Sequence, residues 1–163
     1  MKYISSDTNV WLDFNSIDRI EIPFRLSCTY IVYKEALRSE IVSPPDLIPE
    51  LIKRGLEGVD LTTEEFYYAL EGLGKYVKLS NYDKTALAIA KFREIPLLTG
   101  DNALRKAARK EGVQVFGTIG LLDRLYYEKF ITQEEYDFCL KAFLNHPERR
   151  LPQEEIIKRI GGE

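Results

Sequence analysis

The stretch IPLLTGDNALRKAA, Ile95 to Ala108, carries a strand, a turn and a helix start in one short span. Pro96 has no N–H to give to a ladder, so it is tolerated only where a strand opens. Leu97 and Leu98 form an apolar run with no polar alternation, the pattern of a strand covered on both faces. Thr99, Gly100 and Asp101 then turn the chain, and Asp101 stands where a helix N-cap belongs, ahead of NALRKAARK.

Reading outward gives the same alternation. Upstream, SNYDKTALAIAKFRE opens with Ser80 and Asp83 at capping-box spacing and is apolar almost all round, which predicts a helix packed on several sides. Downstream, the helix from Asn102 stops at Gly112, VQVF reads as a strand, and TIGLLDRLYYEKF as another helix. Toward the N-terminus, Tyr3 to Ser6 is a short strand ending at Asp7, followed by the helical turns of NVWLDF. CTYIVY is a strand leading into the helix KEALRSE; DLIPELIKRG is a helix ended by Gly55; LEGVDL is a further strand. Thr62 with Glu65, and Thr132 with Glu135, repeat the capping-box spacing, and PQEEIIKRI closes the chain with an amphipathic segment. Strands alternating with helices imply an α/β fold with a central parallel sheet covered on both faces. The whole chain, 1–163, reads as one domain with a core of about 1–130 and a C-terminal helical extension of about 131–163.

Composition excludes several chemistries. A net charge of −3, from 23 basic and 26 acidic residues, does not mark a bulk polyanion binder, so any polyanion must meet a local patch. The single histidine, His146, leaves no material for a histidine-based metal site. Cys28 and Cys139 lie far apart without a C-x-x-C pattern, which reads as two buried structural thiols. The N-terminus is too polar for a signal peptide, and no run approaches the roughly 18 apolar residues of a membrane span. A cytoplasmic protein is expected.

Catalysis must therefore rest on carboxylates. In open α/β sheets ligands bind beyond the carboxyl ends of the strands. Asp7 ends the first strand, Glu35 follows the second, Asp101 follows IPLL, and Asp83 sits in the first turn of the helix that feeds that strand. Each has a local explanation as a cap or a solvated helix residue. Taken together they could meet at one edge, where two carboxylates ~4 Å apart repel by about 4 kcal/mol at an effective dielectric of 20. Such a cluster must take protons or bind cations, and hard oxygen donors suit Mg²⁺ or Mn²⁺. On the helix after Asp101, Arg105 with Arg109 and Lys106 with Lys110 form neighbouring stripes that could hold phosphates.

The segments SDTNVWLDF, YIVYKEAL, LSNYDKTALAIAK and IPLLTGDNALRKAARKEGVQVFGTIGLL resemble those of PIN-domain ribonucleases, and in feel the small prokaryotic VapC-like members. The resemblance covers roughly residues 1 to 130. It implies a three-layer α/β/α sandwich and a metal-dependent endoribonuclease. Asp7, Glu35, Asp83 and Asp101 would be its catalytic, Mg²⁺- or Mn²⁺-binding acids, with Asn9 and Thr99 as polar supports and Arg105, Lys106 and Arg109 against RNA. It further implies a toxin silenced by an antitoxin protein, and a homodimer. Two alternatives stand beside it. LLTGDN is also similar to the aspartate loop of haloacid-dehalogenase-like phosphatases, although Asn9 is a poor general acid at the second position after Asp7. A catalytically silent PIN module acting in RNA or protein binding is the other.

Overall fold

The computed structural model describes residues 2–146 and 151–161; Gly162 and Glu163, the end of the expected extension, lie outside them. Five strands form one wholly parallel sheet: β1 (Tyr3–Ser6), β2 (Thr29–Tyr33), β3 (Glu57–Val59), β4 (Leu97–Leu98) and β5 (Val115–Phe116), in the order β3-β2-β1-β4-β5. Strand order reverses direction between β1 and β4, which makes their carboxyl ends the crevice of the sheet. The register pairs Ser6 with Leu98 and Leu98 with Phe116. One step further, Asp7, Thr99 and Gly117 therefore leave the sheet side by side. Backbone bonds hold that row, from Asp7 N–H to the Leu98 carbonyl (3.1 Å) and from Thr99 N–H to the Phe116 carbonyl (3.0 Å).

Alternation along the strands divides the core between two faces. Leu98 belongs to the larger cluster, with Ile4, Tyr30 and Val32, whereas Leu97 belongs to the second. The first face is covered by α1 (Asn9–Ser16), α2 (Lys34–Glu40), α3 (Leu47–Arg54), α7 (Thr118–Tyr127), α8 (Gln133–Leu144) and α9 (Gln153–Gly161). Trp11 sits fully buried there, stacked on Phe24 and edge-on to Tyr30, and its indole N–H donates to Ser6 Oγ at 3.1 Å. The second face is covered by α5 (Asn81–Phe92) and α6 (Asn102–Lys110). As the sequence predicts, α5 buries Ala86 through Ala90 without a break.

Expected boundaries are met where side chains specify them. The capping boxes at Thr62, Ser80 and Thr132 all form, and Gly55 ends α3 at φ 119°, a left-handed conformation that suits glycine. The helix α4 (Thr63–Tyr67) continues into a π-turn over Tyr68–Gly72, where a Cβ on Gly72 would lie 2.7 Å from the Tyr68 ring. Cys139 is buried and Cys28 half-buried, both as free thiols. No helix among the described residues is long and apolar enough to cross a membrane.

The C-terminal helices are not an appendage to the sandwich. Tyr136, Cys139, Leu140, Phe143, Leu151 and Ile156 share one cluster with the residues of α1 and β2. Arg159 of α9 forks onto Asp123 of α7 (2.7 and 2.8 Å), which also accepts from the Tyr136 hydroxyl at 2.6 Å. Apolar positions on three successive helices, not a linker, decide this.

On the second face Glu111 closes the excursion of residues 60–80 onto α6. It accepts from the hydroxyls of Tyr68 and Tyr76 and lies 3.5 Å from Lys75. Hydrogen bonding from Tyr68, then Tyr76, and the Lys75 charge hold its carboxyl down at about 2, against 4.5 ordinarily. A depressed carboxyl contributes stability above its unfolded pKa and loses it as pH falls through the folded one. Glu111→Gln is thus expected to cost about 2 kcal/mol at pH 7, with the gap to the wild type closing between pH 5 and pH 2 in thermal melts. A gap independent of pH would show that the charge is not what holds the excursion.

Candidate active site

Three helix N-termini meet the crevice, and each brings an aspartate. Asp7, buried, precedes α1 and accepts from Val10 N–H at 3.1 Å and from the Thr99 hydroxyl. Asp83, half-buried, is the acid of the α5 capping box, with Ser80 N–H donating to it at 3.0 Å. Asp101, exposed, caps α6 through Leu104 N–H at 2.8 Å. The positive ends of three helix dipoles thus face three carboxylates, which eases the negative charge but does not cancel it.

The remaining strain shows in the proton affinities. Burial pushes the Asp7 carboxyl from 3.8 up to about 7, against the lowering effect of its bonds from Thr99 and Val10, and the charges of Asp13 and Asp83 add to the rise. Asp83 is raised by burial and by Asp101. The aspartates therefore feel one another in a chain from Asp7 through Asp83 to Asp101. Thr99 ties the ends together, since its hydroxyl donates to Asp7 and accepts from Asp101 N–H at 3.1 Å. Asn9 stands exposed at the first position of α1.

The helix α2 carries two acids near the crevice, the expected Glu35 and Glu40. Glu35 lies exposed on the first turn, 3.5 Å from Arg38. Glu40, also exposed, reaches toward the site with its carboxyl: the buried Thr8 hydroxyl donates to it at 2.8 Å, and partial burial, then the Asp83 charge, raise it. Five residues along a helix are about 140° of rotation, so one helix cannot present both toward Asp83. A signal was available, because Glu40 continues the stripe of the buried Ala36 and Leu37 at i+4 and i+3. The same stripe logic finds Asp13, which lies with Val10 and Phe14 on the buried side of α1 and accepts from the Thr118 hydroxyl at 2.9 Å.

Among the described residues, no group of three or more His, Cys, Asp or Glu side chains stands close enough to hold a metal ion. The capping bonds explain the spacing, because each aspartate is held back against its own helix. The donor chemistry nevertheless suits a hard cation: every donor is a carboxylate oxygen with lone pairs to spare, and burial first, then neighbouring carboxylates, raise Asp7, Asp83 and Glu40.

On α6, Arg105, Lys106, Arg109 and Lys110 make no ion pair with any described residue, whereas Arg25, Arg54, Arg93, Arg124 and Arg159 each have a carboxylate partner. The helix beginning at Asp101 is thus an unneutralised basic stripe.

A parallel sheet of order 3-2-1-4-5 with acids at the crevice between its two halves is an open α/β fold with its candidate site at the switch point. A family model described as a PIN domain matches residues 3–161, and the chain belongs to that family. The match runs through α8 and α9, in keeping with their place in the core. No curated protein and no solved structure matches the chain in the corresponding comparisons. Family membership leaves the haloacid-dehalogenase-like alternative without support.

Proposed function

We propose that this PIN-domain chain is a divalent-metal-dependent endoribonuclease that hydrolyses RNA phosphodiester bonds at the crevice between β1 and β4. The observation that carries the reading is the placement of Asp7, Asp83 and Asp101 at three helix starts around that crevice, in a chain of the PIN-domain family. Asp7, Asp83, Asp101 and Glu40 would hold Mg²⁺ or Mn²⁺, which when bound supplies activation of water and neutralisation of the charge building on phosphorus. The chain's own part is placement. Thr99 fixes the Asp7 carboxylate against rotation and links it to the turn that carries Asp101. Thr8, next to Asp7, anchors Glu40. The basic face of α6 extends from the site and suits the phosphates of a single strand, through Arg105, Lys106 and Arg109.

The choice between Glu40 and Glu35 gives the test. With a labelled RNA and Mn²⁺, Glu40→Gln is expected to lower cleavage about tenfold or more, and Glu35→Gln by less than about threefold. The opposite order would return Glu35 to the site. Cleavage that persists undiminished in EDTA would sink the metal-dependent reading altogether.

A further inference from the structure

Arg105 differs from the other cations of α6. Its Nε is the one buried side-chain nitrogen or oxygen among the described residues that has no hydrogen-bond partner. Buried polar atoms are nearly always satisfied, so an orphan asks for a reason. Burial, and then the neighbouring Arg109 charge, disfavour its protonated form, yet a guanidinium stays charged in any protein. A half-buried cation is thus held with no carboxylate against it.

Its position is set by the row at the sheet edge. A Cβ on Gly117 would stand 3.5 Å from Arg105 Nη1, 3.8 Å from its Cζ and 3.3 Å from the Thr99 carbonyl oxygen. The guanidinium therefore lies over the backbone of Gly117, beside the residue whose hydroxyl binds Asp7. A Cβ at Gly117 would press on the Thr99 carbonyl at the end of β4 and touch the guanidinium. Neutralising the aspartates is not its role. Asp7 and Asp83 both have raised carboxyls, and the charges that shift them are those of other acids. The N-terminus of α7 beside it is already served by an anion, Asp13, through Thr118.

We infer that Arg105 is the inner phosphate clamp of the crevice, gripping the phosphodiester next to the scissile bond with its planar fork, while Lys106, Arg109 and Lys110 form an outer rail. This rests on the RNA reading above and assigns one residue a positioning role within it. The unused donors supply the reason: the outer edge of the guanidinium, Nη1 with Nη2, has no carboxylate against it and matches two phosphate oxygens, which a lysine does only as a point charge, while the buried Nε lies out of a ligand's reach.

The test uses the full chain and a short 5′-fluorescein single-stranded RNA. In EDTA, followed by anisotropy across a salt series, Arg105→Met is expected to bind about tenfold more weakly, with the salt slope reduced by about 0.7. With Mn²⁺, the same substitution is expected to lower kcat, whereas Lys106→Gln acts through KM. Arg105→Lys is expected to restore the salt slope but not kcat, and its retained stem and charge make it the informative variant should the Met form fail to fold. Wild-type binding and kcat in Arg105→Met, or full kcat in Arg105→Lys, would overturn the clamp while leaving the nuclease reading intact. A wild-type protein that neither binds nor cleaves RNA would overturn the reading, and the clamp with it.

Discussion

Asp7→Asn is expected to lower RNA cleavage at least about a hundredfold and, in the same protein, to raise the melting temperature of the metal-free form at pH 8. The two effects share one cause. The carboxyl is buried, and burial with the charges of Asp13 and Asp83 pushes it from 3.8 to about 7. A group whose folded pKa lies above its unfolded one contributes stability fully below the unfolded value, and that contribution is lost as pH rises through the folded value. For Asp7 the loss runs from about pH 4 to about pH 7. Asparagine keeps an acceptor for Val10 N–H and carries no charge at any pH. The melting temperatures of wild type and variant, measured in EDTA, should therefore agree near pH 4 and separate up to pH 8, with the variant higher. Adding Mn²⁺ at pH 8 should raise the wild type more than the variant, since only the wild type has the charge to neutralise. A variant that is less stable at every pH would mean that the Asp7 hydrogen bonds outweigh its desolvation. Retained cleavage would remove Asp7 from the chemistry.

Opposite signs matter to the interpretation. Loss of activity alone is ambiguous, because a misfolded variant is also inactive. Loss of activity with a gain in stability is the signature of a site whose charges are kept for function at a cost to the fold.

The fold was legible in the sequence wherever local chemistry and period agree. Ser80 with Asp83, Thr62 with Glu65 and Thr132 with Glu135 announce helix starts, Gly55 announces an end, and the unbroken apolar run of Leu97 and Leu98 announces a covered strand. Ligands bind beyond strand ends in open α/β sheets, so strand boundaries alone place Asp7 and Asp101. Glu35 and Glu40 show the limit. Both follow β2 on one helix, and only the rotation of that helix decides which carboxylate meets Asp83; proximity to the strand pointed to the first, the buried stripe to the second. Asp13 was hidden in the same way. Its partner, Thr118, lies 105 positions away in sequence, and such long-range bonds leave no trace in composition or spacing. The orphan state of Arg105 is further still from the sequence, since it depends on which groups the fold sets around its Nε.

The boundary of the domain is the remaining matter of physics, and Phe143→Ala decides it. Phe143 is 1% exposed on α8, with its ring edge-on to Phe14 at 5.5 Å. Phe14 belongs to α1, the helix whose first turn donates to Asp7. Removing a buried phenyl ring costs about 3–5 kcal/mol when the site cannot collapse, and this site is walled by several helices. For a domain of this size the melting temperature should fall by roughly 10 °C. If α8 and α9 were an appendage, circular dichroism and tyrosine fluorescence would part, with an early transition that leaves the sheet intact. A shared core requires instead that both probes report one shifted transition. The second result is expected, because Tyr136, Leu140, Phe143 and Ile156 pack in the cluster that also holds Ile4 of β1, three residues before Asp7. The same contact path predicts that RNA cleavage disappears at the lowered melting temperature and not before it, since the helix that orients Asp7 cannot be lost separately from the helices that cover it.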